Sequence, residues 1–432
     1  MTLFTAPSPG RTPDAQLAHR RGTAEVIVRG PDGRPLTDTE IVVEQTDHRF
    51  GFGCIGFDLV DLANGTSEHP DADALVAEAW FGLFNRTTLP FYWGRFEPRQ
   101  GNPDIDRLLT AARWFADRGI LVKGHPLVWH TVQPDWLLEY QPDEVERLLR
   151  LRIRRDVTAF AGVVDTWDAI NEVVIMPVFT AEANGITPLA RSRGRVGMVR
   201  LAFEEARAAN PQVRLLLNDF DMSTAYECLI EAVLEAGIAI DYLGLQSHMH
   251  QGWWGVDRTL EVLDRFSRYN VPIHFTETTL LSGDLMPPEV EDLNDWQVDA
   301  WPSTPDGEAR QAEEVEAHYR TLLSHPSVEA ITYWGLSDRD MWLGAPGGLL
   351  RADGSPKPAY ERLESLVRGE WWLSPTTVRS DGDGRVGISG FLGTYRISHD
   401  GAIGEFALTR SQTEIGVGGG AGSTATITLT AR

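Results

Sequence analysis

Between residues 49 and 336, short apolar runs alternate with longer segments whose apolar positions recur at three and four residues. Runs of the first kind, at 49–57, 83–91, 121–129, 163–171, 213–219, 241–248, 272–277 and 329–336, read as strands. Segments of the second kind, at 71–82, 105–118, 143–161, 194–209, 225–236, 257–269 and 307–324, with a last one at 356–368, read as helices. The helical spacing is plain in Val145-Glu146-Arg147-Leu148-Leu149-Arg150-Leu151, and Gly119, Gly237 and Asn270 stand near helix ends as stop signals. Eight strands alternating with eight helices over about 320 residues is the count of a TIM (β/α)8 barrel. A doubly wound open sheet is the alternative, but no Gly-rich phosphate turn follows the first strand.

Outside this region the texture changes. Thr23–Val28 and Glu40–Glu44 flank Pro31-Asp32-Gly33 and read as a β-hairpin, preceded by an arm over residues 1–21. After Arg368, short strand-like stretches return at Gly390–Ile397, Glu405–Thr409 and Thr424–Thr430, separated by Ser380-Asp381-Gly382-Asp383-Gly384 and a glycine run at 416–422. Strands at both ends predict a small accessory β-sandwich built from residues 1–48 and 370–432, with a catalytic barrel over 49–369 between them. No internal repeat is present.

In a barrel the strand C-termini converge on one face, where active sites sit. The fourth strand there presents Asn171 and Glu172, and the seventh presents Glu277. The third contributes His125, Trp129 and His130, the fifth Asn218 and Asp219, the sixth Gln246, Ser247 and His248, and the eighth Trp334. Two carboxyls on separate strand ends are what cleavage of a glycosidic bond requires: one protonated to donate to the leaving oxygen, one ionised to attack the anomeric carbon. An amide beside the acid can bind the sugar 2-hydroxyl, and a His near the nucleophile can orient it and hold its charge.

Five ordered blocks carry a family resemblance: Gly124-His125-Pro126-Leu127-Val128-Trp129-His130, Trp167-Asp168-Ala169-Ile170-Asn171-Glu172, Gly244-Leu245-Gln246-Ser247-His248, Thr276-Glu277, and Tyr333-Trp334-Gly335-Leu336-Ser337-Asp338. Together, over about residues 50 to 368, the chain resembles glycoside hydrolase family 10, the retaining endo-β-1,4-xylanases on a TIM barrel. The resemblance implies Glu172 as acid/base and Glu277 as nucleophile. It further implies Asn171 at the 2-hydroxyl, Gln246 and His248 in contact with the nucleophile, and His125, Trp129, Trp334 and Trp342 walling the central sugar subsite.

The chain departs from that pattern on the glycone side. Where xylanases usually carry a Glu-Asn pair and a Lys, registration on Trp93 and Glu97-Pro98 places Thr88, Leu89 and Tyr92. Val132 stands where a Gln is usual, Phe220 where a Tyr often follows Asn-Asp, and Thr278-Thr279 follow Glu277 in place of Leu then Asp. Hydrogen bonds built into a site give large discrimination between substrates, so the second glycone sugar loses its polar grip. Two insertions, 174–193 after the acid/base strand and 281–306 after the nucleophile strand, are placed to shape specificity; the second is acidic and carries Trp296 and Trp301.

Composition narrows the partners. A formal net charge of −23 argues against nucleic acid and anionic membranes, which need clustered Lys and Arg. The 14 Trp suit stacking on sugar rings, although large cores also use them. Cys54 and Cys228 form no disulfide framework, and no cofactor or metal is called for, since no H-x-x-x-H or Cys-rich spacing recurs. Residues 1–21 lack the apolar run of a secretory signal, and no stretch approaches the roughly 20 apolar residues of a membrane helix, so a cytoplasmic location is expected unless the chain is a trimmed mature form.

The expected function is therefore a retaining β-glycoside hydrolase acting on xylan-type or xylo-oligosaccharide substrates. An exo-acting or small-glycoside β-glycosidase is the alternative within the enzyme class. A non-catalytic carbohydrate-binding barrel is the rival outside it, and retention of both acids and Asn171 argues against it.

Overall fold

The computed structural model describes residues 16–410 and 424–431. Residues 1–15, most of the expected arm, and the glycine run at 416–422 lie outside the described residues. After a 3-10 turn at Ala18–Arg20 come strands β1 (Arg21–Arg29) and β2 (Glu40–His48), which do not form the expected hairpin: β1 pairs in one sheet and β2 in the other, because each is taken by a strand from the C-terminal part of the chain. Eight strands follow: β3 (Gly51–Ile55), β4 (Arg86–Pro90), β5 (Leu121–His125), β6 (Thr166–Asn171), β7 (Arg214–Asp219), β8 (Tyr242–Met249), β9 (Ile273–Leu280) and β10 (Val328–Tyr333). Each falls on one of the predicted apolar runs. They pair in sequence as parallel neighbours, and β10 closes on β3 to complete the barrel.

Packing explains why these segments close. Trp167 on β6 is fully buried and lies against Phe91, with ring centroids 4.5 Å apart. Its indole crosses β5 at Gly124, where an added Cβ would meet the ring at 2.3 Å, so a glycine is required there. Two ladders slip by one residue just ahead of Asn171 and Glu277. Asp168 pairs with Leu216 and Ile170 with Leu217, which leaves Ala169 extra; Leu245 pairs with Phe275 and Gln246 with Glu277, which leaves Thr276 extra. Such bulges re-aim the side chains that follow, here Asn171 and Glu277.

One helix is longer than the sequence pattern predicts. It spans Ile186–Ala209, starting inside the expected insertion, with Gly194 breaking it at φ 69 and ψ 164. Asn184 Oδ1 accepts the amide N–H of Thr187 at 2.7 Å, and Pro188 sits in the first turn. The glycine masked the extra turns, because it reads as a boundary when it is an interior break.

The chain divides into two compact units: the barrel, Gly51–Thr321 with Ser327–Arg362, and a second unit comprising residues up to Phe50, Leu322–Pro326 and residues from Leu363 onward. The second unit adds β11 (Thr376–Arg379), β12 (Arg385–Phe391), β13 (Gly393–His399), β14 (Ala402–Leu408), β15 (Thr424–Thr428) and β16 (Thr430–Ala431). One sheet has the order β12-β1-β15 and the other β11-β2-β13-β14-β16. Val26, Val28, Val386 and Ile388 from the first share a core with Ile41, Val43, Tyr395, Ile397 and Phe406 from the second, as a sandwich requires. The stretch Gly390–Ile397, expected as one strand, is split at Leu392: β12 pairs with β1 and β13 with β2, so the chain changes sheets there. Burial of both Phe391 and Leu392, on successive positions, fixes that crossing.

Candidate active site

Every predicted site residue lies on the face where the strands end. Glu172 follows β6 with φ 54, a left-handed conformation uncommon outside glycine, held by its N–H donating to the Asn218 carbonyl at 2.8 Å. Its Oε2 accepts from Trp129 Nε1 at 2.8 Å, and Oε1 accepts from Asn171 Nδ2 at 3.1 Å and Gln246 Nε2 at 3.3 Å. His130 is buried, with Nε2 3.9 Å from Glu172 Oε2.

Glu277 is buried within β9. Its Oε1 accepts from Asn218 Nδ2 at 2.9 Å, and its Oε2 lies 3.0 Å from His248 Nε2. His125 Nδ1 is 4.0 Å from Oε1 and 2.8 Å from Asp168 Oδ2, which also takes Lys123 Nζ at 2.7 Å.

These surroundings push the two carboxyls apart. Burial raises Glu172 to about 8, aided by the negative charges of Glu277 and Asp219 and opposed by the Trp129 N–H. Burial also acts to raise Glu277, but His125 and His248 outweigh it and hold the group below the ordinary carboxylate value. One carboxyl is thus kept protonated near neutral pH and the other ionised, the division that acid-assisted nucleophilic displacement needs.

The aromatic side chains form a cup around this pair. Trp334 lies 5.2 Å from His125 and 6.0 Å from His248, and Trp342 lies 4.9 Å from His248, between ring centroids. Tyr92 completes it, 5.5 Å from His125 and 5.6 Å from Trp129. Burial and the proximity of Glu277 keep its phenol protonated. Of the other residues at altered positions, Thr88 and Leu89 are buried and Phe220 is exposed.

One expected contact differs. Gln246 is the backbone neighbour of Glu277, yet its amide reaches across to Asn171 Oδ1 at 3.1 Å and to Glu172 Oε1 rather than to Glu277. Asn171 supplies the acceptor that draws it there, while the oxygens of Glu277 are taken by Asn218 and His248.

Four residues without a role assigned from sequence are tied into the site. Asn218 Nδ2 bridges Asn171 Oδ1 and Glu277 Oε1. Asp219 accepts the N–H of Val174 at 3.0 Å and so pins the loop beyond Glu172; burial raises it to about 7. Asp168 and Lys123 form a buried pair behind His125. A signal existed for three of them: Leu215-Leu216-Leu217 ends in the polar pair Asn218-Asp219 as β6 ends in one, and Lys123 alternates with His125 in an otherwise apolar strand. Among the described residues, no group of three or more His, Cys, Asp or Glu is arranged to hold a metal ion.

The family model described as Glycosyl hydrolase family 10 matches residues 89–366, well over half of the chain. Endo-1,4-beta-xylanase 3 of Hypocrea jecorina is 26% identical over 288 residues, covering 64% of this chain and 73% of that protein. The anti-sigma-I factor RsgI6 of Acetivibrio thermocellus is 27% identical over 388 residues, 88% of this chain, but the chain spans only 45% of that protein's length. Among solved structures, xylanase 10B from Thermotoga petrophila RKU-1 in complex with xylobiose superposes with a TM-score of 0.60 at 20% identity, covering 74% of this chain and 95% of that one. A GH10 protein from Paenibacillus barcinonensis gives 0.61 at 23% identity, covering 74% and 96%. At these identities the structural likeness speaks for the fold.

Proposed function

Because the chain belongs to glycosyl hydrolase family 10, we propose that it hydrolyses β-linked xylan-type chains or xylo-oligosaccharides with retention, by double displacement. The opposed environments of Glu172 and Glu277 support the pairing of an acid with a charged carboxylate, and membership of the family supports retention. In the first step a Glu277 oxygen bonds to the anomeric carbon, the glycosidic C–O bond breaks, and the leaving oxygen takes the Glu172 proton. In the second step Glu172, now a carboxylate, takes a proton from water as the water oxygen displaces Glu277 and releases the sugar. Asn171 keeps one N–H beyond its bond to Glu172, and that N–H is available to the 2-hydroxyl. Glu277→Ala tests the assignment: it should abolish turnover of an activated aryl β-glycoside that the wild type cleaves. Unchanged turnover would remove Glu277 as nucleophile.

A second reading, exo action or cleavage of small β-glycosides, draws support from the glycone-side wall. Phe57 packs edge-on against both Tyr92, at 5.9 Å, and Trp334, at 5.6 Å, so rings continue the cup past the catalytic pair. Aromatic walls give stacking surface with few directed hydrogen bonds, which weakens selection for a second glycone sugar. Product analysis on xylohexaose separates the readings: internal cuts yield mixed oligomers from the start, whereas terminal cuts yield xylose or one fixed short product.

A further inference from the structure

The parallel pairing of β8 with β9 sets Gln246 beside Glu277 and His248 beside Thr279. With a side-chain period of two, these four residues share one face. His248 thereby stands between two partners: Nε2 lies 3.0 Å from Glu277 Oε2, and Nδ1 lies 3.1 Å from Thr279 Oγ1. Thr279 is fully buried and Glu277 nearly so. Neither Thr279 Oγ1 nor His248 Nδ1 makes another hydrogen bond among the described residues. We propose that Thr279 is a positioning residue that orients His248 and, through it, sustains the charge on Glu277; this rests on Glu277 being the nucleophile.

The chemistry follows from the two ring nitrogens. For Nε2–H to donate to Glu277 with the imidazole neutral, Nδ1 must carry a lone pair, and a buried lone pair needs a donor. The Thr279 hydroxyl partners Nδ1 in either state of the ring, donating to the lone pair of the neutral imidazole and accepting from the N–H of the imidazolium. The rest of the surroundings offer no substitute. Trp334 and Trp342 present rings to His248, and His250, 6.0 Å away between centroids, has both nitrogens without a hydrogen-bond partner. The other ionisable groups near Glu277 are Glu172 on the loop after β6, His125 on β5, Asp168 on β6 and Tyr92 just beyond β4. None of these hydrogen-bonds His248. Without the hydroxyl, the imidazole loses its anchor and Glu277 loses a directed donor, so its carboxylate form is less favoured.

The Thr279 methyl packs where an added Cβ on Gly347 would lie 2.8 Å away, so valine keeps the packing while deleting the hydroxyl. The measurement is the pH profile of kcat/KM for an activated aryl β-glycoside in wild type, Thr279→Val and Thr279→Ser, with thermal melting beside it. The acid limb should move toward neutral pH by roughly half a unit to one unit in Thr279→Val, with kcat/KM at the optimum lowered about tenfold, and return in Thr279→Ser. An acid limb unmoved in Thr279→Val, or moved equally in Thr279→Ser, overturns the proposal. Wild-type profiles lacking turnover altogether would instead overturn the proposed function, so the two failures are distinct.

Discussion

Asn218 Nδ2 lies 2.9 Å from Glu277 Oε1, and the same nitrogen lies 2.7 Å from Asn171 Oδ1. Both amide hydrogens are therefore spent, while Asn218 Oδ1 accepts from Thr276 Oγ1 at 2.6 Å. The fully buried amide couples Glu277, the proposed nucleophile on β9, to Asn171, the proposed 2-hydroxyl ligand on β6. Replacing it with Asp substitutes a carboxylate for a donor and puts like charge beside Glu277. Asn218→Asp should lower kcat/KM by on the order of 10²-fold and move its acid limb toward neutral pH, measured with an aryl β-glycoside across pH.

The two displaced carboxyls predict a bell-shaped profile. Activity should rise as Glu277 ionises below the ordinary carboxylate range and fall as Glu172 loses its proton near 8. Trp129 sharpens the test, because its N–H bonds to Glu172 Oε2 and favours the charged form. Removing that donor in Trp129→Phe should carry the alkaline limb upward. A limb that stays or falls would mean that another group sets it.

Burial of Glu172 also has a stability cost with a definite sign. Its folded value of about 8 lies above the ordinary 4.5, so the folded protein binds this proton more tightly than the unfolded chain. That contribution is fully present below 4.5 and is lost progressively as pH climbs from 4.5 to 8. Glu172→Gln carries no such charge. Its melting temperature should exceed the wild type's at pH 8 and above, by the equivalent of one to a few kcal/mol, since each tenfold difference in proton affinity is worth about 1.4 kcal/mol. The difference should close toward pH 4.5.

Strand positions were legible because each of the eight runs is apolar and bounded, and Glu172 and Glu277 because each ends such a run. The contact of Gln246 with Glu172 was not, since it depends on which way an amide turns across the barrel. Nor was the Lys123–Asp168 pair, whose members sit on adjacent strands 45 residues apart. Gly194 misled because a glycine marks helix ends and helix breaks alike. The split at Leu392 was hidden for a related reason: an apolar run that changes sheets looks like one that stays in a single strand.

Gly244 connects the fold to the chemistry. An added Cβ there would lie 2.2 Å from Asn218 Oδ1 and 2.9 Å from its Cγ, closer than real atoms approach. Gly244→Ala must therefore displace the Asn218 amide or the β8 backbone, costing about 1–3 kcal/mol as overpacking does. Displacement of the amide also breaks its bond to Glu277, so kcat/KM should fall to about the level of Asn218→Ala. The double variant decides the cause. With the Asn218 amide already gone, only the tight 3.0 Å contact with the residue-218 Cβ remains, so adding Gly244→Ala to Asn218→Ala should cost much less stability than Gly244→Ala costs in the wild type, while the double variant stays as slow as Asn218→Ala. Additive losses in stability and rate would show that the two positions act independently, and that Gly244 matters for its backbone rather than for the space it leaves to Asn218.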